Sequence, residues 1–320
     1  MDLFISFCTL LQASMKQFIL LSCLLFISNS LVAQDEPFIY VLGVIQDAGY
    51  PQAGCYRPHC MPGWYDPSLR RGATSISVVD PLSRNKYLFE ATPHLPSQLY
   101  ELERVAPDSD YTLNGVFLTH AHIGHYTGLM FFGFESMDAN NLPVYAMPRM
   151  AEYLSSNGPW NQLVSMENIV LQVMQADRIE DFNHIKVTPH LVPHRDEYSE
   201  TVGYRIQGPN RAALFIPDIN KWEIWDRNIV DEIRSVDYAI VDASFYNGDE
   251  IPGRDMAEMP HPFVVESMAL FDLLPAEEKA KVWFIHLNHT NPLLIEGSDA
   301  YRNVREQGYN VAREGVRLPL

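Results

Sequence analysis

The chain has 320 residues, of which 47% are hydrophobic, and its formal net charge at pH 7 is −17. A strongly acidic chain without a cluster of Lys and Arg is unsuited to binding phosphate backbones, so nucleic acid is excluded as a partner. The length and hydrophobic content suit one large domain with a substantial core.

The N-terminal segment has the layout of an export signal: a charged start, an apolar run from Phe18 to Ile27, and a small-residue end at Ala33. A transmembrane anchor is the alternative, because the apolar stretch approaches the length that spans a bilayer. A lipoprotein signal at Cys23 is disfavoured by the apolar residues that follow it. We therefore predict removal of residues 1–33, a periplasmic or secreted location, and a single domain at 34–320 with no membrane span.

Strand-like and helical segments alternate through the rest of the chain, judged by residue type, periodicity and turn residues. In chain order, strands are predicted at 38–45, 75–79, 87–89, 115–118, 142–146, 169–173, 185–192, 201–206, 212–216, 238–241 and 282–285. Helices are predicted at 96–104, 149–156, 222–233, 264–274 and 299–306. Several strands followed by helices, repeated in two halves, indicate a layered α/β sandwich rather than a barrel.

Two cysteines, Cys55 and Cys60, would remain after removal of the export signal. In an exported protein such a pair can form a disulfide. His59 lies beside Cys60 and offers the alternative of a zinc site. The sequence leaves both interpretations open.

Three histidines, His120, His122 and His125, follow the predicted strand at 115–118. Side chains alternate along a strand, so His120 and His122 lie on one side, and His125 approaches from the start of the next segment. Histidine is rarely buried without partners, and three adjacent imidazoles therefore indicate a metal site. A histidine-rich surface loop is the alternative.

Three further metal-binding side chains follow apolar strands in the same way. They are His194 after the strand at 185–192, Asp218 after 212–216, and His286 after 282–285. Together with the histidine cluster they predict a cation site whose ligands are remote in sequence.

The order and spacing of these ligands resemble the metallo-β-lactamase superfamily. The resemblance implies an α/β fold of αββα type, a single domain with a metal cleft at one edge of its two sheets. Within the superfamily, the chain is most similar to the family of pyrroloquinoline quinone (PQQ) biosynthesis protein B and to the phosphodiesterases of phosphonate metabolism. That narrower similarity depends on the segments Glu90-Ala91-Thr92-Pro93, Asp242-Ala243-Ser244-Phe245 and Ile285-His286-Leu287-Asn288-His289-Thr290-Asn291-Pro292.

The resemblance also implies which residues hold metal ions. One ion is expected at His120, His122 and His194, and a second at His125, Asp218 and His286, with Asp218 bridging the two. Gly124 stands where the family has Asp, so the second position lacks one carboxylate. One or two zinc ions are therefore expected, with manganese or iron as alternatives.

A structural zinc site is implied as well. The segment at 55–60 resembles a Cys-x-Cys-x-x-Cys insertion of the family, with Arg57 in place of the middle cysteine. His59 would replace that thiolate, and His289 matches a fourth ligand of the phosphodiesterase relatives. The implied set is Cys55, His59, Cys60 and His289, which would close a structural zinc site.

The implied activity is hydrolysis of a small ester, lactone, amide or phosphodiester by water activated on the metal ions. Asp218 and His261 are the predicted catalytic residues. His261 is chosen because related nucleases place a catalytic histidine after a segment like the one that begins at Asp242. A surface or helix-capping role is the alternative for His261. The alternative activity is an iron- and dioxygen-dependent oxidation of the PQQ-biosynthesis type, which the predicted export disfavours.

Overall fold

The structure is a computed structural model that describes residues 36–320, and the predicted export signal at 1–33 lies outside the described residues. The described strands are β1 (Phe38–Gly43), β2 (Ser75–Asp80), β3 (Asn85–Phe89), β4 (Thr112–Phe117), β5 (Leu142–Ala146), β6 (Ile169–Val173), β7 (Glu180–Asp181), β8 (Lys186–Leu191), β9 (Val202–Gln207), β10 (Ala212–Ile216), β11 (Tyr238–Asp242), β12 (Val282–Ile285), β13 (Asn310–Val311) and β14 (Arg317–Pro319).

The α-helices of the same range are mostly short. They are α1 (Met61–Tyr65), α2 (Leu95–Val105), α3 (Ile123–Tyr126), α4 (Pro148–Ser156), α5 (Trp160–Ser165), α6 (Ile229–Arg234), α7 (Val264–Leu270), α8 (Ala276–Lys279) and α9 (Asp299–Glu306). Between residues 36 and 320, no helix has both the length and the apolar character needed to cross a membrane.

The strands form two seven-stranded sheets with the same internal plan. The first has the order β14-β1-β2-β3-β4-β5-β6 and the second the order β13-β12-β11-β10-β9-β8-β7. In the orders given, the first sheet has three antiparallel pairings followed by three parallel ones, and the second has three parallel pairings followed by three antiparallel ones. Parallel strands place their carboxyl ends at one edge of a sheet, which is where ligands usually bind in α/β folds.

Alternation of side chains along the strands separates two apolar layers. In β1, Ile39 and Val41 lie in the core shared by the two sheets, whereas Phe38 and Leu42 lie in a second core. That second core includes residues of α2, α4 and α5 on the outer face of the first sheet. Between the sheets, the ring of Phe89 lies 5.4 Å from Tyr204 and 6.3 Å from Phe215. This is the sandwich predicted from the sequence, and the prediction is confirmed.

Two predicted helices differ from the structure. The helix predicted at 222–233 is wrong, because a 3-10 turn at Trp222–Ile224 is separated from α6, whose N-cap Asn228 accepts a hydrogen bond from Val230. The buried indoles explain the break, since the Nε1 of Trp222 donates to Ser267 at 2.9 Å and that of Trp225 to the Leu191 carbonyl at 2.8 Å. The helix predicted at 264–274 ends earlier, at Leu270.

Candidate metal centre

The polar side chains predicted from the sequence meet at one edge of the sandwich, beyond the carboxyl ends of the strands. The structure brings together all six predicted ligands, which are His120, His122, His125, His194, Asp218 and His286. His120, His125, Asp218 and His286 are almost fully buried, at 0–3% exposure. The predicted convergence of distant strand ends therefore holds in the structure.

The first group of donor atoms consists of three imidazole nitrogens and one carboxylate oxygen. His122 Nδ1 lies 2.8 Å from His120 Nε2 and 3.2 Å from His194 Nε2. Asp218 Oδ2 lies 3.4 Å from His120 Nε2 and 3.2 Å from His194 Nε2. Ligands about 2.0–2.1 Å from a tetrahedral zinc ion are about 3.3 Å apart, so the spacing suits one such ion.

The second group lies on the other side of Asp218 and contains a residue that the sequence analysis did not assign. His125 Nε2 lies 3.5 Å from Asp47 Oδ1 and 3.8 Å from Asp218 Oδ2. The ring of His286 is 5.2 Å from that of His125. One donor atom each from Asp47, His125 and His286 falls within 4.8 Å of the others.

A neighbouring polar group hydrogen-bonds the second ring nitrogen of four of the five histidine ligands. Such partners set the tautomer and the orientation of a metal-binding imidazole. The pairs are Thr119 Oγ1 with His120 Nδ1 at 2.9 Å, Glu197 Oε2 with His122 Nε2 at 3.1 Å, Asn220 Oδ1 with His194 Nδ1 at 3.1 Å, and Ser244 Oγ with His286 Nδ1 at 2.9 Å. For the fifth histidine, Glu90 Oε1 lies 3.5 Å from His125 Nδ1 without a hydrogen bond.

Several polar atoms that face the centre are buried without a hydrogen-bond partner in the described part of the chain. They are Asp47 Oδ1, Asp218 Oδ1, Glu90 Oε1, both ring nitrogens of His125, and His286 Nε2. A buried polar atom left unpaired costs about 1–3 kcal/mol. Divalent cations at the two donor groups would engage Asp47, His125 and His286, so the residues present fit a metal centre.

The charges of the first group also suit metal binding. Burial, together with the neighbouring imidazoles, holds the pKa of His120 well below its usual range, and burial lowers the pKa of His122 as well. Burial raises the pKa of Asp218, but the imidazoles of His194 and His261 outweigh it, so the net shift of that pKa is downward. Neutral imidazoles at His120 and His122 and an ionised carboxylate at Asp218 are the protonation states that a cation requires.

His261 lies beside the metal-binding groups, paired with a second buried carboxylate. Its Nδ1 is 2.8 Å from Asp242 Oδ2 and 3.3 Å from Asp218 Oδ1. Burial lowers the pKa of His261, but the charges of Asp242 and Asp218 raise it to about 9 overall. The side chain is 6% exposed, and α7 begins three residues later with Phe263 as its N-cap, so the surface and helix-capping alternatives are both wrong.

Three residues of the centre have left-handed backbones, which side chains other than glycine rarely adopt. The φ angles are 37° at Asp47, 80° at Glu90 and 66° at His286. Each such residue costs on the order of 1 kcal/mol or more and persists only where its surroundings impose it. The backbone at these three residues is therefore strained, and the strained conformation directs their side chains toward the metal centre.

The cysteine segment forms a separate cluster. Cys55 and Cys60 are joined in a disulfide, and His59 Nε2 lies 3.4 Å from Cys55 Sγ. The ring of His289 is 5.4 Å from that of His59, and one donor atom from each of the four residues falls within 4.8 Å of the others. The structure thus contains the disulfide, which was the alternative to a zinc site. The four predicted zinc ligands nevertheless lie close together.

The fold and the metal-binding residues can be compared with those of known proteins. The family model described as Beta-lactamase superfamily domain matches residues 85–287, which is more than half of the chain. The chain belongs to this superfamily. The matched residues include every predicted metal ligand from His120 to His286.

Relatives within the superfamily include Coenzyme PQQ synthesis protein B of Methylobacterium sp. (strain 4-46), which is 24% identical over 88% of this chain and 99% of its own. The Zn(2+)-bound PqqB from Methylobacterium extorquens superposes with a TM-score of 0.72 at 22% identity, covering 88% of this chain and 100% of that one. A diphosphatase from the PhnP family gives a TM-score of 0.60 at 19% identity, covering 89% and 99%. These structures share the superfamily fold.

Two acidic residues of the centre had a signal in the sequence that was not used for site assignment. Asp242 ends β11 and Asp47 lies four residues beyond β1, so each follows an apolar strand as Asp218 and His286 do. Asp47 reads as part of the turn Gln46-Asp47-Ala48-Gly49, and only the pairing of the segment after β1 with the segment after β12 brings it to His286. Chain position alone did not distinguish it from a solvated loop carboxylate.

Proposed function

We propose that the chain is a metal-dependent hydrolase that acts on a small ester, lactone, amide or phosphodiester. The observation that carries the proposal is the first donor group, in which His120 Nε2, His122 Nδ1, His194 Nε2 and Asp218 Oδ2 converge. Zinc is the expected ion, with manganese or iron as alternatives, because imidazole and carboxylate ligands suit all three.

Divalent cations held by the two donor groups would supply a water molecule of lowered pKa and polarise the substrate oxygen. Asp218 Oδ2 lies within 3.8 Å of donor atoms of both groups. The predicted partner is a small molecule, since a net charge of −17 disfavours binding of a nucleic acid.

His261 is proposed as the proton donor to the leaving group. Asp242 engages its Nδ1 and favours the imidazolium form, which leaves Nε2 as the nitrogen that can give up a proton. Ser244 Oγ donates to Asp242 Oδ1 at 2.8 Å and fixes the carboxylate against the ring. A fixed, protonated imidazole beside the metal ligands is what general acid catalysis requires.

The test is a screen of generic ester, lactone, amide and phosphodiester substrates with metal-free protein and with protein reloaded with Zn²⁺ or Mn²⁺. We expect turnover of at least one class that is lost on chelation and restored by metal, and is absent from His194→Ala. Turnover that survives complete removal of metal, or a reloaded protein inactive on every class, would contradict the proposal.

The second candidate is an iron- and dioxygen-dependent oxidation, favoured by the similarity to proteins named Coenzyme PQQ synthesis protein B. The same ligands would accept iron. Metal analysis of protein purified without added metal, followed by an oxygen-electrode assay, separates the candidates. Iron with oxygen uptake supports oxidation, whereas zinc or manganese without oxygen uptake supports hydrolysis.

We further propose that the reduced cysteines, with His59 and His289, hold a structural zinc. Thiol titration of protein purified under reducing conditions tests this proposal. Two thiols that react only after chelation, with release of one zinc ion, support the zinc site. If no free thiol is detected either with or without chelator, the disulfide is supported instead.

Export of the chain with cleavage after Ala33 is likewise a proposal. N-terminal sequencing of the protein recovered from the periplasm or medium tests it, and recovery only in the cytoplasm with residues 1–33 attached would contradict it.

A further inference from the structure

The space beside Gly124 is occupied by another part of the chain. A Cβ atom built on Gly124 would lie 2.3 Å from Asp47 Cα and 2.6 Å from Asp47 Oδ1, closer than real Cβ atoms approach other atoms. A side chain at position 124 and the loop that carries Asp47 are therefore mutually exclusive. The carboxylate of Asp47 lies where a residue at position 124 would begin its own side chain.

Backbone hydrogen bonds hold Asp47 at this point. The segment after β1 pairs with the segment after β12, since Leu287 donates to the Val44 carbonyl at 2.8 Å and Gln46 donates to the Leu287 carbonyl at 2.9 Å. These bonds bring the segment that carries Asp47 to the segment that carries His286, and one donor atom of Asp47 lies within 4.8 Å of one of His286. The left-handed backbone at both residues is consistent with an imposed conformation.

The Asp47 side chain is directed at the metal-binding histidines although it is partly exposed. Its side chain is 47% exposed, yet Oδ1 is buried and has no hydrogen-bond partner within the described range. Oδ1 lies 3.5 Å from His125 Nε2, the separation expected of two ligands that share one cation. The unpaired atoms His125 Nε2 and His286 Nε2 complete the group, with Asp218 Oδ2 at 3.8 Å from His125 Nε2.

We propose that Asp47 is a ligand of the second metal ion, with His125, His286 and the bridging Asp218, and that it supplies the carboxylate that Gly124 cannot. The inference rests on the proposed function, because it assumes that the first donor group also holds a cation. It makes the centre a two-metal site assembled partly from the segment after β1.

The experiment is calorimetric titration of metal-free full chain with Mn²⁺, whose preference for oxygen and nitrogen keeps it away from the cysteine cluster. Electron paramagnetic resonance of the loaded protein reports whether two Mn²⁺ ions are exchange-coupled. The variants are Asp47→Ala and Asp47→Asn, with Asp181→Ala on the edge strand β7 as a control for the loss of one exposed carboxylate. Circular dichroism establishes that each variant is folded.

We expect two Mn²⁺ ions and a coupled signal for the parent chain and for Asp181→Ala. Asp47→Ala should keep one ion and weaken the second by about 100-fold or more, with loss of the coupled signal, and Asp47→Asn should weaken it less. Should folded Asp47→Ala bind two ions with parental affinity, or the parent bind only one, the inference is overturned and the hydrolase proposal stands. A parent chain that binds no metal overturns both.

Discussion

Four of the five histidines of the centre have one ring nitrogen held by a protein partner, which directs the other ring nitrogen toward the donor atoms of the metal centre. Thr119, Asn220 and Ser244 hold His120, His194 and His286 through Nδ1, so Nε2 faces the cation position in all three. His122 is reversed, because Glu197 engages its Nε2 and directs Nδ1 inward. The donor geometry therefore depends on these four partner side chains as much as on the ligands.

Replacement of His261 by alanine is expected to lower turnover by about 100-fold or more, because a positioned proton donor contributes on that order. Metal content should not change, since the His261 ring contacts Asp218 and Asp242 rather than completing either donor group. The measurements are kcat, on the substrate class that the screen identifies, and metal content by mass spectrometry.

The matched control for this variant is His184→Ala. His184 Nδ1 also pairs with a buried carboxylate, Asp80 Oδ2 at 3.0 Å, but outside the metal centre, and its loss should leave kcat near the parental value. Loss of metal from His261→Ala would instead identify His261 as a ligand.

At the scale of elements, the segment after β12 is held by the loop that follows β11. Thr290 Oγ1 donates to Glu250 Oε1 at 2.5 Å, and the Tyr246 backbone donates to Glu250 Oε2 at 2.6 Å. Burial raises the pKa of Glu250 to about 7, although these hydrogen bonds favour the charged form. Glu250 thus joins the loop before α7 to the segment that carries His286 and His289, and its burial makes ionisation of the carboxyl costly in the folded state.

We expect the stability of the chain to fall between about pH 4.5 and pH 7 through this residue. A carboxyl whose pKa is raised on folding stabilises the folded state below its unfolded pKa, and that stabilisation is lost as the pH rises through the folded pKa. Relative to Glu250→Gln, the parent should lose about 2 kcal/mol of unfolding free energy between pH 4.5 and pH 8. Urea unfolding at both pH values measures it.

The exposed Glu258 lies in the same loop, and Glu258→Gln serves as the control, which should keep the parental pH dependence because it retains Glu250. An equal pH dependence in the parent and Glu250→Gln would show that folding does not raise the pKa of Glu250.

How much of the site was predictable depended on the kind of local signal each residue has. His120, Asp218 and His286 each follow a strand with a strong apolar pattern, so their convergence could be inferred from the sequence. Asp47 could not, because its place is set by backbone pairing between Val44, Gln46 and Leu287, partners that local periodicity does not encode. The break at 222–233 was missed for the same reason, since indole hydrogen bonds to distant residues override the helical pattern.

In the whole molecule, the two sheets each contribute part of the metal centre. The histidine cluster and Asp47 follow strands of the first sheet, while His194, Asp218 and His286 follow strands of the second. Bound cations would therefore join the two halves as well as support catalysis. The short strands β13 and β14, which were not predicted, close the far edges of the sheets with two and three residues each.

Removal of metal is expected to lower the thermal stability of the chain. A cation present at 100 times its dissociation constant stabilises the folded state by about 2.7 kcal/mol, which corresponds to a fall in Tm of about 5–10 °C on chelation. Calorimetry of metal-free and Zn²⁺-reloaded protein measures the difference. In His194→Ala, which lacks a ligand of the first donor group, chelation should lower the Tm by less than in the parent chain. An unchanged Tm after verified metal removal would contradict this expectation.

The left-handed backbones at Asp47, Glu90 and His286 have a consequence for protein engineering. Glycine relieves such a conformation, so a laboratory selection that rewards heat resistance alone should accumulate glycine at these positions first. Variants selected in this way would be more heat-resistant but would bind cations less tightly. In a library screened for both properties, stabilising substitutions would have to occur at other positions of the sandwich.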